Sequence, residues 1–245
     1  MNNWLERTEL LLGRKKLTTL HNKHVLIVGL GGVGAYAAEQ ICRAGVGEMT
    51  IVDADYVEET NLNRQLPALT STIGKAKTAV MEERLKLINP ELKLHVIHEF
   101  VRDEGTEKLL TLYPYDYVVD AIDSLAPKVF LIFSALQKNL KIISALGAGG
   151  KTDPARVQIA EIEKTYQCKL AHALRKRLHR LGVRSGFKAV FSPEMVPESA
   201  VRIEENPAMN KLSTVGTISY MPAIFGCFAA AQVIRELAGI TVNEE

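Results

Sequence analysis

The sequence predicts an α/β protein: a doubly wound, mostly parallel sheet of Rossmann-like type with a smaller basic segment toward its C-terminal end. Three observations predict it. Residues His24–Asp53 read as strand, glycine-rich turn, helix, strand and acid in unbroken order. Apolar runs then alternate with helical spacing up to residue 145, the pattern of βαβ units with right-handed crossovers. The runs Val25–Val28 and Met49–Val52 lack polar alternation, as strands covered on both faces do.

Composition narrows the class. A chain of 245 residues can bury a real core, as one large domain or one domain with an appendage. Hydrophobic residues at 47% and charged residues at 24% fit a soluble globular protein. A formal net charge of +2 means that any basic surface must come from local clustering. Cys42, Cys168 and Cys227 are too few and too scattered for a disulfide framework, and a reduced, cytoplasmic setting is expected. The first nine residues lack the apolar core of a signal peptide. Tyr220–Leu237 is apolar but interrupted by Gln232, Arg235 and Glu236, so it reads as a buried or interface helix and not a membrane span.

In chain order, leucines at 5, 10, 11, 12, 17 and 20 with a break at Gly13 predict two short helices, or a helix and turn. After the first strand and turn, a small-residue helix runs to about Ala44 and a second strand ends on Asp53. From Tyr56 to Gly74 periodicity is lost, predicting a long loop of the kind that is usually functional or disordered. Lys75–Asn89 is helical, stopped by Asn89-Pro90. Leu94–His98 is a strand, Asp103 an N-cap for a helix through Leu112, and Tyr117–Asp120 the next strand. A helix from about Ala126 to Lys138 leads to the strand Lys141–Ala145. Gly147–Pro154 is a turn-rich break, and Val157–Ile162 a strand with one wet face. A polar, proline-bearing segment follows Phe191 as far as Ser213, and a helix from roughly Pro222 to Ala238 ends at Gly239.

The turn Gly29-Leu30-Gly31-Gly32-Val33-Gly34 carries the first chemistry. Gly29, Gly31, Gly32 and Gly34 let the backbone turn tightly and approach phosphates, and the helix start supplies free N–H groups and a positive dipole end. Asp53 is placed to accept hydrogen bonds from a ribose hydroxyl. The motif alone serves NAD, FAD and ATP proteins alike. Residues beyond it favour a triphosphate, whose charge calls for cationic side chains. Arg64 and Lys77 follow the second strand near the sheet rim, Asn61 is a neutral donor to the same group, and Asp123 has the type and place to hold Mg²⁺. Taken singly, Arg64 or Lys77 reads as a solvated surface charge. Together with the turn and Asp53 they read as a site.

The segments V-G-L-G-G-V-G (28–34), V-D-A-D (52–55), N-L-N-R-Q (61–65), Gly74 with Lys77, and D-A-I-D-S (120–124) resemble the adenylating superfamily of ubiquitin-activating enzymes and bacterial ThiF/MoeB-type adenylyltransferases. The resemblance covers most of residues 5–150. It implies that Asp53, Asp55, Asn61, Arg64, Lys77 and Asp123 bind ATP and Mg²⁺, with Arg64, Lys77 and Asp123 serving the reaction. It also implies that Arg7 reaches into a partner subunit's ATP site in a homodimer, the alternative being a plain surface charge. The implied chemistry is carboxylate attack on the α-phosphorus, giving an acyl-adenylate and pyrophosphate. Cations and positioning suffice for that, and no Ser-His-Asp or Cys-His pairing stands out.

Sulfur-carrier members of the superfamily usually carry paired C-x-x-C motifs, and none occurs here. Cys42 and Cys227 read as core residues, and Cys168 as an accessible thiol of unknown reactivity. I-N-P-E (88–91), Pro127-Lys128, G-A-G-G-K-T-D-P (147–154) and Val190-Phe191-Ser192 extend the resemblance toward the tRNA threonylcarbamoyladenosine dehydratase family. That implies a tRNA substrate, dehydrated through an acyl-adenylate, and a monovalent cation (Na⁺ or K⁺) near Gly147–Pro154. Independently, residues 169–188 hold seven basic residues and no acid. Among them Arg175, Lys176, Arg177, Arg180, Arg184 and Lys188 form a phosphate-binding footprint, since a merely solvated face normally mixes signs. The expected organisation is an ATP-binding adenylation unit over 1–150 and a C-terminal continuation over 151–245, together one compact domain. Activation of a sulfur-carrier or ubiquitin-like protein's C-terminus is the alternative reading, and a sulfur-relay or carrier protein stays open as a partner.

Overall fold

The structure, a computed structural model, describes residues 3–203 and 213–240. The leucine-bearing N-terminus forms helices α1 (Glu6–Leu12) and α2 (Arg14–His21), separated at Gly13. Strand β1 (His24–Val28), helix α3 (Gly34–Arg43) and strand β2 (Glu48–Val52) follow. The long loop after β2 contains one short 3-10 turn at Glu59–Asn61 and leads to helix α4 (Lys77–Ile88). Then come β3 (Lys93–Ile97), α5 (Glu104–Leu112), β4 (Tyr117–Asp120), α6 (Leu125–Gln137) and β5 (Ile142–Ala145). Strand β6 (Gln158–Glu161), helix α7 (Lys169–Arg180), strand β7 (Lys188–Phe191), the short pair β8 (Val201–Ile203) and β9 (Ser213–Val215), and helix α8 (Tyr220–Leu237) complete the order.

Seven strands form one sheet in the order β3-β2-β1-β4-β5-β7-β6, and β8 pairs with β9 separately. All pairs in the large sheet are parallel except the edge pair β6–β7. The order reverses direction between β1 and β4, which opens a crevice at the carboxyl ends of those strands. Alternate residues of each strand serve opposite layers. Val25, Ile27, Met49 and Ile51 pack with α3, α4 and α8, whereas Leu26, Val28 and Val118 pack with α5, α6 and α7. Every residue of β1 and β4 is buried, which explains their continuous apolar runs. Among the described residues no helix is long and apolar enough to cross a membrane.

The structure corrects some of the sequence expectations. Asp103 does sit at the start of α5, but its side chain makes no capping hydrogen bond. Strand β7 lies where the sequence predicts none: four residues beginning with a lysine carry little periodicity, and only pairing with β5, more than forty residues earlier, makes them a strand. The pair β8–β9 falls where a polar loop is expected, and residues 204–212 of that segment lie outside the described residues.

Candidate nucleotide site

The glycine turn occupies the crevice. It is fixed from both neighbouring strands, with Gly29 N–H donating to Val52 O (2.8 Å) and Ala121 N–H to Val28 O (2.9 Å). A Cβ on Gly29 would lie 2.7 Å from the Ala121 carbonyl oxygen, and one on Gly34 would lie 1.8 Å from the Gly29 carbonyl oxygen. Packing therefore demands both glycines. Gly31 differs: a Cβ there would meet nothing nearer than Gln65 Nε2 at 3.8 Å, so packing within the chain does not account for it. Helix α3 starts at this turn, and no side chain caps it. Ala35 N–H turns back on Gly31 O (3.3 Å), and the positive end of the helix dipole faces the crevice, as anion sites at helix starts require.

Asp53, at the end of β2, binds the turn directly. Its Oδ2 accepts from Leu30 N–H (2.5 Å) and its Oδ1 from Asp55 N–H (2.7 Å). Burial pushes its carboxyl above the usual range, opposed by those two hydrogen bonds and by Lys77. Lys77, the first residue of α4, is 4% exposed, and its Nζ lies 2.8 Å from Oδ2 of the exposed Asp55. The Arg64 guanidinium donates to Thr60 O and Asn63 Oδ1, both at 2.8 Å, while its main-chain oxygen lies against Gly32. Asn61 is buried and spends its Oδ1 on Glu58 N–H (3.2 Å); its amide nitrogen makes only a long contact of 3.4 Å with Thr60. Gln65 Oε1 is buried without a hydrogen-bond partner among the described residues, beside Gly31. An unpaired buried acceptor costs free energy unless something donates to it.

Beneath the rim lies a buried ion pair. Lys128 Nζ is 2.6 Å from Asp120 Oδ2 with neither side chain exposed, and also donates to Ser144 Oγ (3.2 Å) and Ala145 O (2.9 Å). Ser144 donates to the same Asp120 oxygen at 2.6 Å, and Asp120 Oδ1 accepts from Ile122 N–H at 3.1 Å. The pair joins β4, β5 and α6 and holds the backbone from which the exposed Asp123 projects at the rim.

The opposite wall comes from the C-terminal third. Pro222 of α8 lies against Gly32, and Asn63 Nδ2 donates to Thr217 O at 2.9 Å. Lys151 is buried and donates to the carbonyls of Ser192 and Glu194 (both 2.8 Å). Desolvation pushes its ammonium below the usual lysine range. The Glu194 carboxylate accepts from Thr152 and Asp153 N–H (2.8 and 2.9 Å), and Tyr220 donates to Thr152 O (2.8 Å). The turn at Gly147–Pro154 is thereby pinned beside the start of α8.

The structure thus gathers Gly29, Gly31, Gly32, Gly34, Asp53, Asp55, Asn61, Arg64, Lys77 and Asp123 along one rim. Arg7 lies elsewhere. It is exposed on α1 and lines a cavity of about 560 Å³ with Gln40 and Arg43 from the far end of α3 and Cys227 and Arg235 from α8. Helix α7 starts near Gly147, where Leu170 approaches, and the loop after it reaches Leu136 at the end of α6. Exposed Lys176, Arg177, Arg180 and Arg184 therefore gather toward the end of the sheet away from the glycine turn. Two basic residues are otherwise engaged. The Arg175 guanidinium donates to Thr165 O (2.9 Å) and to Thr165 Oγ1, and Lys188 pairs with Glu236 at 2.9 Å.

Of the cysteines, Cys42 meets expectation and the other two depart from it. Cys42 is buried, and desolvation pushes its thiol up to about 12. Cys168 is buried and Cys227 exposed, the reverse of their sequence reading. Sequence reasoning misses Pro222 and assigns no role to Gln65 or Lys128. Beyond the resemblance at Pro127-Lys128, the signal for Lys128 is its position eight residues after Asp120, at the start of an apolar helix.

Comparison with known proteins follows the same lines. The ThiF family description matches residues 5–245. Haemophilus influenzae tRNA threonylcarbamoyladenosine dehydratase is 39% identical over 90% of this chain and 88% of its own length. The Bacillus subtilis dehydratase is 37% identical over 97% and 95%, respectively. A crystal structure of the Escherichia coli dehydratase in complex with ATP superposes with a TM-score of 0.87, at 34% identity, covering 98% of this chain and 96% of that one.

Proposed function

The chain belongs to the ThiF family, and from that premise we propose that it is an ATP-dependent tRNA threonylcarbamoyladenosine dehydratase. Likeness to dehydratases along nearly the full length of both chains carries this reading, and the rim described above supplies a site of the right chemistry.

In the proposed reaction the threonylcarbamoyl carboxylate attacks the α-phosphorus of ATP, and pyrophosphate leaves. The carbamoyl nitrogen or oxygen of the same group then attacks the acyl carbon, and AMP leaves, for a net loss of one water. The uncapped start of α3 and the backbone at Gly31 cradle the phosphates. Asp53 retains lone pairs for ribose hydroxyls while anchoring Leu30. Arg64 and Lys77 swing from Thr60 and Asp55 onto the phosphates and offset charge that builds on the leaving pyrophosphate. The residue types suit Mg²⁺: Asp120 is committed to Lys128, and Asp123 at the rim would hold the ion, which typically takes one or two carboxylates with phosphate oxygens and water. When bound, that ion supplies charge neutralisation at the phosphates. A monovalent cation, Na⁺ or K⁺, would rest on backbone carbonyls near residues 147–154, since the Lys151 ammonium there already holds those of Ser192 and Glu194.

The reading extends to partners and place. Arg7, remote from its own glycine turn, acts in the site of a second subunit of a homodimer. Lys176, Arg177, Arg180 and Arg184 bind the tRNA backbone away from the reacting nucleoside, as a polymer substrate allows. Such a substrate places the work in the cytoplasm. ATP–pyrophosphate exchange tests the substrate class: exchange should require tRNA bearing threonylcarbamoyladenosine. Exchange driven by a sulfur-carrier protein without tRNA would instead support carrier activation, which the lack of C-x-x-C motifs and the buried Cys168 disfavour.

A further inference from the structure

We propose that His24, Glu48 and His95 form a binding site for a divalent transition-metal ion, with Zn²⁺ the best match, at the amino-end rim of the sheet. This rim is opposite the nucleotide site, a strand's length of about 16 Å away. The three residues stand on neighbouring strands, and register brings them together. His24 pairs with Glu48 across β1–β2, and Glu48 with Lys93 across β2–β3. His95 is two residues beyond Lys93 and therefore on the same face.

The ligand atoms already converge. One nitrogen of each imidazole and a Glu48 oxygen lie within 4.8 Å of one another, with Glu48 Oε1 2.8 Å from His95 Nε2 and 3.3 Å from His24 Nδ1. Ligands about 2.0–2.1 Å from a tetrahedral zinc sit roughly 3.3 Å apart, so small side-chain movements suffice. Two imidazoles and one carboxylate, with a fourth position open, are a donor set zinc commonly takes.

His24 supplies the independent observation. It is 4% exposed, and its Nδ1 is buried with no hydrogen-bond partner among the described residues, aimed into the cluster toward Glu48. Its other nitrogen is 2.8 Å from Thr50 Oγ1. With a metal on Nδ1, Nε2 carries the proton and donates to that hydroxyl, the outer-shell arrangement that orients metal-bound histidines. Tyr113 stacks on His95 at 4.1 Å and Tyr115 meets His24 edge-on at 4.7 Å, so both rings are held in place. His95 and Glu48 are each about one-fifth to one-quarter exposed, which gives an ion a route in.

One charged neighbour competes. Lys93 Nζ lies 2.9 Å from Glu48 Oε1 and must withdraw when a cation binds; at 65% exposure it can do so into solvent. The metal would fasten the edge strand β3 to β2 and β1, a stabilising role distinct from the reaction.

The test uses untagged full-length protein stripped with chelator and titrated calorimetrically with Zn²⁺. One equivalent should bind, and saturation should raise the melting temperature by about 5 °C. Co²⁺ should give visible absorption of four-coordinate intensity. His95→Gln and Glu48→Gln should each weaken Zn²⁺ binding at least tenfold and abolish that absorption, while ATP affinity, unchanged, reports an intact fold. Lys93→Gln should tighten Zn²⁺ binding severalfold by removing the competing cation. Absence of stoichiometric binding, equal binding in His95→Gln, or weaker binding in Lys93→Gln would overturn the proposal.

Discussion

Lys128 Nζ and Asp120 Oδ2 meet at 2.6 Å with both side chains fully buried, directly under the segment that presents Asp123. Replacing Lys128 with Met would leave the Asp120 carboxylate buried without its cation. The expected loss is about 3–5 kcal/mol of stability, read by urea denaturation. Adenylation should fall as well, because Ile122, the residue before Asp123, is hung from the same carboxylate. A Lys128→Met protein as stable as the parent would show that the pair carries no such burden.

Gly31 and Gly34 should separate nucleotide binding from folding. Gly34→Ala drives a methyl to 1.8 Å from the Gly29 carbonyl and should yield unstable protein. Gly31→Ala has room within the chain, its nearest neighbour lying 3.8 Å away. Its melting temperature should hold while ATP affinity drops about tenfold or more, because the methyl then stands where phosphate approaches. Calorimetric ATP titration beside thermal melting reads both.

These two cases also mark what a sequence can disclose. The Rossmann half is legible because its signals are local: apolar runs, a glycine turn and a following acid occupy thirty consecutive residues. The gathering of Arg64, Lys77 and Asp123 is legible from their place after strand ends. Lys128 is not, since a lysine reads as surface until a carboxylate is found at its tip, and that carboxylate depends on how β4 meets α6. Strand β7 escapes for a related reason: its four residues become a strand only through pairing with distant β5. Cys168 sits just before α7 and is buried by tertiary packing that its local sequence does not signal, and the exposure of Cys227 turns on which side of α8 faces a neighbour, which helical spacing leaves open for a nearly all-apolar helix.

Lys77→Ala and Asp123→Ala should each reduce the adenylation rate by about a hundredfold or more, as loss of a charge-stabilising group does. The fold should survive, because Lys77's partner Asp55 is solvent-exposed and Asp123 is itself exposed. Single-turnover AMP release measures the rate, and circular dichroism checks the fold.

Arg7 invites a subunit-mixing experiment. Arg7→Ala and Lys77→Ala should each be inactive alone. Mixed after dissociation, they should regain about one quarter of parental activity, since half of the dimers are hybrids and each hybrid has one intact site. No recovery would place Arg7 in its own subunit's site or outside the reaction.

Arg177→Ala combined with Arg180→Ala should weaken tRNA binding and lower the slope of log affinity against log salt by about 2, one for each phosphate no longer neutralised. ATP affinity should not change, because α7's basic end lies away from the glycine turn. A drop in ATP affinity would contradict that assignment.

Most direct is the mass of the modified nucleoside. Protein, ATP and tRNA carrying threonylcarbamoyladenosine are incubated, the tRNA is digested, and the nucleosides are weighed by mass spectrometry. The expected product is lighter by one water, formed in step with AMP and absent with Lys77→Ala. An unchanged nucleoside mass, from protein that demonstrably binds ATP, would contradict the assignment.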